Sequence, residues 1–444
     1  MLKRSGEYEP PLGKIWSRSE SRTWTILMFT GTCVLYAARA SLPICAAVIA
    51  KDFAWNKTDS GTVLSCFFWG YAFTQVFAGR IADTYGAENI LPFTSLAWTM
   101  LTFFTPHLFD LAYSSEFPLF ILLVVRVLTG VFQAFHIPSL ASIVAKHLSA
   151  NDKGRVFGIV LAGSHCGTVL AGAFGSILLE WAGWRTLFHF VGVISLLWCW
   201  MFKWLLDDRK SSLRRSSPIP DEEILLNKKH DSHESHLTIA PVQPVPWMKL
   251  FKHPAFWAAA IAQYTGGNSY SILFNWLPSY FHETFPNEKG VVYNVVPSLA
   301  IVVTSLVAPY LASKTLASGK SVTYTRKLME GASLIGIAVC LILVSMTSYF
   351  WMTLLIFTLA MAARGLHHGG VSVNPHDFAP NYAGSVFGVF NACGAITGFV
   401  GVYVAGHILE ATNNNWSYVF IVTAVQCVLG AIVYVLLGMG QKII

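Results

Sequence analysis

Long apolar runs separated by short polar turns fill most of this chain, and their lengths predict helices that cross a membrane. Such runs fall near 23–48, 60–82, 88–108, 117–147, 156–179 and 184–206, then near 254–281, 291–316, 327–346, 350–370, 383–409 and 416–439. Each offers about the 20 residues that a helix needs to cross a bilayer core. Residues 207–250 interrupt the pattern with Arg209, Lys210, Arg214, Arg215, an acidic cluster and Pro241, Pro244 and Pro246. Low apolar content and mixed charge predict a disordered linker there. The reading is an all-α membrane protein of twelve transmembrane helices in two six-helix halves, 23–206 and 251–439. A polar tail, 1–22, precedes them and a short segment, 440–444, follows. No cleavable signal peptide is expected, because the first apolar run is long enough to span.

Composition agrees. The 444 residues are 54% hydrophobic and 12% charged, about half the charged share of a soluble protein. A net charge of +7 could suggest nucleic acid, but the basic residues fall between spans and form no soluble basic face. The eight cysteines all lie in apolar runs and lack the spacing of a zinc site or a disulfide framework. They read as small hydrophobes.

Lysine and arginine asymmetry sets the orientation. With both termini cytosolic, only Lys51, Lys57, Arg185 and Lys289 fall on the far side, and three arginines lie inside spans; the rest of the 30 basic residues are cytosolic. The sequons at Asn56 and Asn415 then face the non-cytosolic side, where glycan acceptors belong. In the linker, Asp221-Glu222-Glu223-Ile224-Leu225-Leu226 has the form of an acidic dileucine sorting signal. It would bind a clathrin adaptor and deliver the protein to secretory vesicles or lysosomes.

Arg39, Arg126 and Arg364 lie within apolar runs that carry no clear mid-span acid. An ionisable residue at the bilayer centre costs at least about 2.5–3.5 kcal/mol on insertion scales and is a functional hypothesis by default. Cations without carboxylates suggest that a mobile anion completes the site, and guanidinium forks suit phosphate oxygens. His136, His165, His367 and His368 are also membrane-embedded; each reads first as a hydrogen-bonded interior histidine, with His368 placed best to meet an anion beside Arg364. Tyr36, Trp69, Tyr71, Tyr264 and Tyr270 could stack on a nucleobase, and Asn268, Asn275 and Asn391 could hydrogen-bond to it. Gln133, one helical stretch beyond Arg126, is a further candidate. No P-loop, GxSxG, kinase or metal-binding pattern occurs, so a nucleotide would be cargo and not fuel. No enzyme, cofactor or metal is expected.

Six plus six spans around a long central loop resemble the major facilitator superfamily, whose halves rock about a midplane site. Gly79 through Gly86 resembles its loop between helices 2 and 3, with Thr84 in place of the usual basic residue; the resemblance makes Arg80 and Asp83 a latch between the halves. Phe67-Phe68-Trp69-Gly70-Tyr71 with Thr74-Gln75, Leu277-Pro278-Ser279-Tyr280-Phe281, Asn294-Val295-Val296-Pro297, and Asn374 through Pro380 with Gly388 and Asn391 are similar to the solute carrier 17 family. The similarity runs from about 23 to 439 outside the central loop, and is greatest to the nucleotide-carrying branch. The resemblance implies substrate contacts at Arg39, Arg126, Tyr71, Gln133 and Asn391, and chloride as an activator. Arg364 has no counterpart in those motifs.

The departures are informative. Glutamate-carrying members have a carboxylate where this chain has Gln133, a histidine where it has Leu64, and a seventh-helix arginine where it has Gly266. Loss of the first two removes the obvious proton-coupling groups. The expectation is a uniporter driven by membrane potential, moving ATP and also ADP or GTP into vesicles. The alternatives are a carrier of a smaller anion (sialate, glutamate, urate or phosphate), with or without a coupled ion, and a ligand sensor on a transporter scaffold.

Overall fold

Side-chain caps fix where the first helices begin. Ser17 accepts from Glu20 N–H at 3.3 Å, and the Glu20 carboxylate accepts from Ser17 N–H at 2.8 Å, opening α1 (Arg18–Asp52) with a reciprocal capping box. Asn56 and Asp59 open α2 (Lys57–Tyr85) in the same way. The computed structural model describes residues 16–148, 150–216, 245–380 and 383–444. After α2 come α3 (Ala87–Tyr113), α4 (Pro118–Gln133), α5 (His136–His147), α6 (Ala150–Leu170) and α7 (Ser176–Ser216). Then follow α8 (Trp247–Phe251), α9 (Pro254–Thr284), α10 (Gly290–Ala317), α11 (Val322–Val344), α12 (Phe350–Gly365), α13 (Asn374–Phe378), α14 (Ala383–Ala411) and α15 (Trp416–Leu437).

These helices make the twelve spans expected from the sequence, with different internal joints. The fourth span is α4 and α5 joined at Ala134–Phe135. The fifth passes through a π-helical turn, Ala171–Gly175, into α7, and Gly183, at φ 78°, separates the fifth span from the sixth within α7. The tenth breaks after α12 into two 3-10 turns, Leu366–Gly369 and Val371–Val373, before α13. Eight stretches among the described residues are apolar enough to cross a membrane on composition alone, Arg155–Arg209 holding two spans. The spans formed by α2, α3 and α9 fall short because they bury polar residues, such as Thr94, Thr99 and Thr102 of α3 and Thr265, Asn268, Ser269 and Asn275 of α9.

Three boundaries differ from expectation. The helix of α7 continues to Ser216, well past 207, and α8 buries Leu250, so neither edge of the 207–250 linker is disordered. Arg209 anchors that extension, with Nε 3.7 Å from Glu20, Nη1 3.9 Å from Glu88 and its guanidinium over Trp16. The expected loop at 79–86 is helical as far as Tyr85; only Gly86, at φ 85°, turns the chain into α3. Arg80 there is exposed. The side chain of Asp83 lies outside what the structure describes, as do Asp221, Leu225 and Leu226.

The halves meet through α2 against α14, α1 against α9, and α10 against α6 and the π turn. Their cross-links are not spread evenly. At the face remote from the described termini, Lys57 pairs with Glu283, its backbone N–H donates to Glu410 at 2.9 Å, and its ammonium lies over Trp276 and Trp416. Nearer the centre, Asn294 donates to Ser176 Oγ at 2.9 Å. At the terminal face, the hydrogen bonds and ion pairs between described residues stay within one half, such as Ile443 N–H to Phe378 and Trp16 N–H to His147. Among the described residues, the side-chain clasp between the halves lies at the remote face.

Candidate functional site

Two glycines bring the first pair of arginines together. A Cβ on Gly70 of α2 would strike the Val127 carbonyl, and one on Gly130 of α4 would strike the Phe67 carbonyl. Small residues at both positions allow the two backbones to touch, as in membrane helix packing generally. This contact lays the Phe67 ring under Arg126, 5.3 Å from Cζ to centroid, and under Arg39 of α1, at 5.2 Å. Arg39 also lies over Tyr71 at 4.4 Å and Tyr36 at 4.7 Å. Its Nε donates to Gln133 Oε1 at 2.8 Å, while Arg126 Nε makes only a long bond, 3.4 Å, to Val63 O. An aromatic cage of this kind stabilises a cation through ring quadrupoles, worth about 0.5–2 kcal/mol per ring when desolvated, without neutralising its charge. Arg39 Nη2 is buried and has no hydrogen-bond partner among the described residues.

The other half brings the third arginine. Arg364, in the last turn of α12, places its guanidinium over Gly266 of α9; a Cβ there would lie 3.6 Å from both Cζ and Nη1. Gly266 is the position where glutamate-carrying members of the resembled family are expected to bear an arginine, so a guanidinium reaches that place from another helix. Arg364 Nη1 is also buried without a partner. Tyr270 connects the two centres, lying within electrostatic reach of Tyr36, Arg364 and Arg39. On the far side of this cluster, α1, α6, α9 and α10 enclose a cavity of about 40 Å³, bordered by His165, Tyr270 and Asn294. A water fits there.

The remaining candidates sort clearly. Gln133 is almost wholly buried, and its Oε1 accepts from Arg39 Nε. His368 meets His165 across the halves, ring centroids 6.3 Å apart, with Arg364 in electrostatic reach of both. Asn391 is exposed on α14, and no hydrogen bond among the described residues joins it to the cluster. Asn268 donates to Gln426 at 2.7 Å and Asn275 to Ser271 O at 2.8 Å, both inside their own half. Trp69 stacks edge-on against Phe399, and Tyr264 borders a crevice between α9, α14 and α15. His136 corrects the expectation of a hydrogen-bonded interior histidine: it is buried, neither ring nitrogen has a partner among the described residues, and the Trp198 ring centroid lies 5.5 Å away. Asn56 and Asn415 are exposed and cap α2 and α15 through Oδ1. No hydrogen bond among the described residues uses Nδ2, the atom a glycan would take.

Sequence reading missed two residues. Phe67 lay inside a quoted motif but was not singled out, and nothing in its spacing marks it as a ring shared by two guanidiniums. Glu330 qualifies the expectation of no clear mid-span acid. It sits in the 327–346 run, is fully buried, and accepts from His367 Nδ1–H at 2.9 Å and Val371 N–H at 3.1 Å. Its place one turn from the polar end of α11 made it look like a boundary residue.

A family model described as Major Facilitator Superfamily matches residues 27–402. The human voltage-gated purine nucleotide uniporter SLC17A9 is 37% identical over 429 residues, 96% of this chain and 94% of that protein. Sodium-dependent phosphate transport protein 1, chloroplastic, of Arabidopsis thaliana is 27% identical over 97% of this chain and 81% of its own length. Among solved structures, a bacterial homologue of the human lysosomal transporter Spinster, in an inward-facing and unoccupied conformation, aligns with a TM-score of 0.75. That alignment, at 15% identity, covers 95% of this chain and 97% of the other, and bears on the fold alone.

Proposed function

The chain belongs to the major facilitator superfamily and, within it, to the solute carrier 17 family, and from that premise we propose a uniporter of purine nucleotides driven by membrane potential. It is an integral multi-pass membrane transporter and not an enzyme. One observation carries the substrate reading: Arg39 Nη2 and Arg364 Nη1, from opposite halves, are both buried and unpartnered. An unmade hydrogen bond to a buried charged group is costly, and an anion entering between the halves satisfies both nitrogens at once. A polyphosphate has the charge and length to engage two cationic centres, while Tyr36, Tyr71 and Tyr270 offer ring faces to a base. ATP is the leading substrate, with ADP and GTP beside it.

Energetics favour potential as the driving force. Each elementary charge moved is worth about 2.3 kcal/mol per 100 mV, so a polyanion accumulates on the positive side without a coupled proton. Gln133, which holds Arg39, cannot titrate. In this reading both termini are cytosolic, the clasp at Lys57, Glu283 and Glu410 is luminal, and the conformation is closed toward the lumen. The vesicle or lysosome is the compartment, chloride is an activator, and Asp221 with Leu225 and Leu226 recruits a clathrin adaptor. Replacing both leucines by alanine is expected to move the carrier to the plasma membrane with intrinsic transport unchanged; continued vesicular residence would place the sorting information elsewhere.

The test is uptake into proteoliposomes with potential and pH gradient imposed separately. ATP uptake is expected to follow an inside-positive potential and to persist when the pH gradient is collapsed. Uptake that a pH gradient drives at zero potential contradicts uniport. The plant relative named for phosphate transport motivates a second reading, a carrier of a smaller anion such as phosphate. That reading predicts that inorganic phosphate competes with ATP at comparable concentration and is itself taken up.

A further inference from the structure

We infer that Glu330 is a positioning residue that tempers the charge of Arg364, so that the anion gripped between the halves can leave. The inference rests on the reading that Arg364 meets the anion. Its starting point is the break in the tenth span. Where α12 gives way to 3-10 turns, backbone groups lose their helical partners, which inside a membrane must be replaced. Two side chains of α11 replace them. Glu330 Oε2 accepts from Val371 N–H, and Arg326 Nη1 donates to the Gly369 carbonyl at 3.1 Å. Arg326 is itself neutralised by Asp377 through two bonds, at 2.8 and 3.2 Å. Among the described residues, Glu330 meets no lysine or arginine at bonding distance, Arg364 included; its close side-chain partner is His367, whose Nδ1 lies 2.9 Å from Oε2.

The uncompensated carboxylate is close to the site. Leu334, on the same face of α11 one turn further on, meets the same point above Gly266 as the Arg364 guanidinium. Arg364 lies within electrostatic reach of Glu330; the other groups around the carboxylate are His367, Tyr434 and Cys427, with Arg326 one turn away on α11 and paired to Asp377. A carboxylate beside a substrate-binding cation lowers the positive potential that a polyanion sees. Arg39, in its cage of rings, has no such counter-charge. One half grips, and the other is adjusted to let go.

Uptake kinetics of E330Q in potential-driven proteoliposomes test this. One amide oxygen can make both bonds that Oε2 makes, to Val371 N–H and to His367, so the substitution removes charge and keeps geometry. The expected result is a KM for ATP lower by about tenfold with a Vmax lower by a similar factor, the scale of one charge removed at interhelical distance. A residue that only braces the helix break would leave KM unchanged or raise it, and either result overturns the inference. If E330Q does not fold, the double variant E330Q/R364Q, which removes opposite charges together, is expected to fold with the KM of R364Q alone; any other KM overturns the inference. R364Q by itself separates the two readings. An unchanged KM there defeats the assignment of Arg364 to the substrate, and a raised KM with no effect of E330Q defeats only the role of Glu330.

Discussion

Each half brings one guanidinium with an unpartnered nitrogen to the middle of the molecule, and the two halves hold it in opposite ways. Arg39 sits on an unbroken helix among Tyr36, Phe67 and Tyr71, held by the Gln133 amide, with Arg126 sharing the Phe67 ring. Arg364 sits at the end of a helix that breaks immediately afterwards, over a glycine floor, with a buried carboxylate in electrostatic reach. Rings and amides stabilise a cation while leaving its charge available; a carboxylate does not. Under the proposed function, the difference divides the labour of transport between a cationic anchor and a tempered contact. A carrier needs both, because a site that binds too well releases too slowly.

The comparison breaks most visibly at the anchor. Arg39→Ala and Arg126→Ala are each expected to reduce ATP uptake by about a hundredfold or more, since each deletes a charged hydrogen-bonding group from a dehydrated site. Surface expression should stay normal, and wild-type uptake by a well-expressed double variant would remove both from the site. Lysine at either position should rescue poorly, because it lacks the bidentate fork. A smaller loss is expected from Gln133→Glu. It turns the anchor into a neutralised pair like Arg326–Asp377 of the other half, so KM should rise by about tenfold, and the carboxylate could introduce a pH dependence absent from the parent. Phe67→Leu removes the shared ring and should raise KM by about three- to tenfold, in line with one desolvated cation–π contact. Asn391→Ala should change uptake by less than about twofold, as expected for an exposed side chain outside the cluster; a large loss would bring α14 into the site.

Much of this was legible in the sequence, and the exceptions share a cause. Twelve spans, two halves and the membrane arginines follow from hydrophobic length and the cost of charge in hydrocarbon. Arg39, Arg126, Tyr71 and Gln133 do come together. The break at Leu366–Val373 could not be read, because a helix interruption inside an apolar run is sustained by residues on another helix, here Glu330 and Arg326. Glu330 was hidden by its position near a span boundary, where an acid usually faces water. Phe67 was hidden among many aromatics, since its role depends on the crossing of Gly70 with Gly130. Asn391 was carried over from motif resemblance, and a motif does not say which face of a helix a residue takes.

The central claim is that one anion is held by both halves at once, and equilibrium ATP binding to purified Arg39→Ala, Arg364→Ala and the double variant tests it most directly. Each single substitution is expected to weaken binding by about 10- to 150-fold, the range for a charge-assisted hydrogen bond in a dry site, and the double variant should bind no ATP measurably. Wild-type affinity in Arg364→Ala, with binding lost only in Arg39→Ala, would place the substrate in one half and contradict the account.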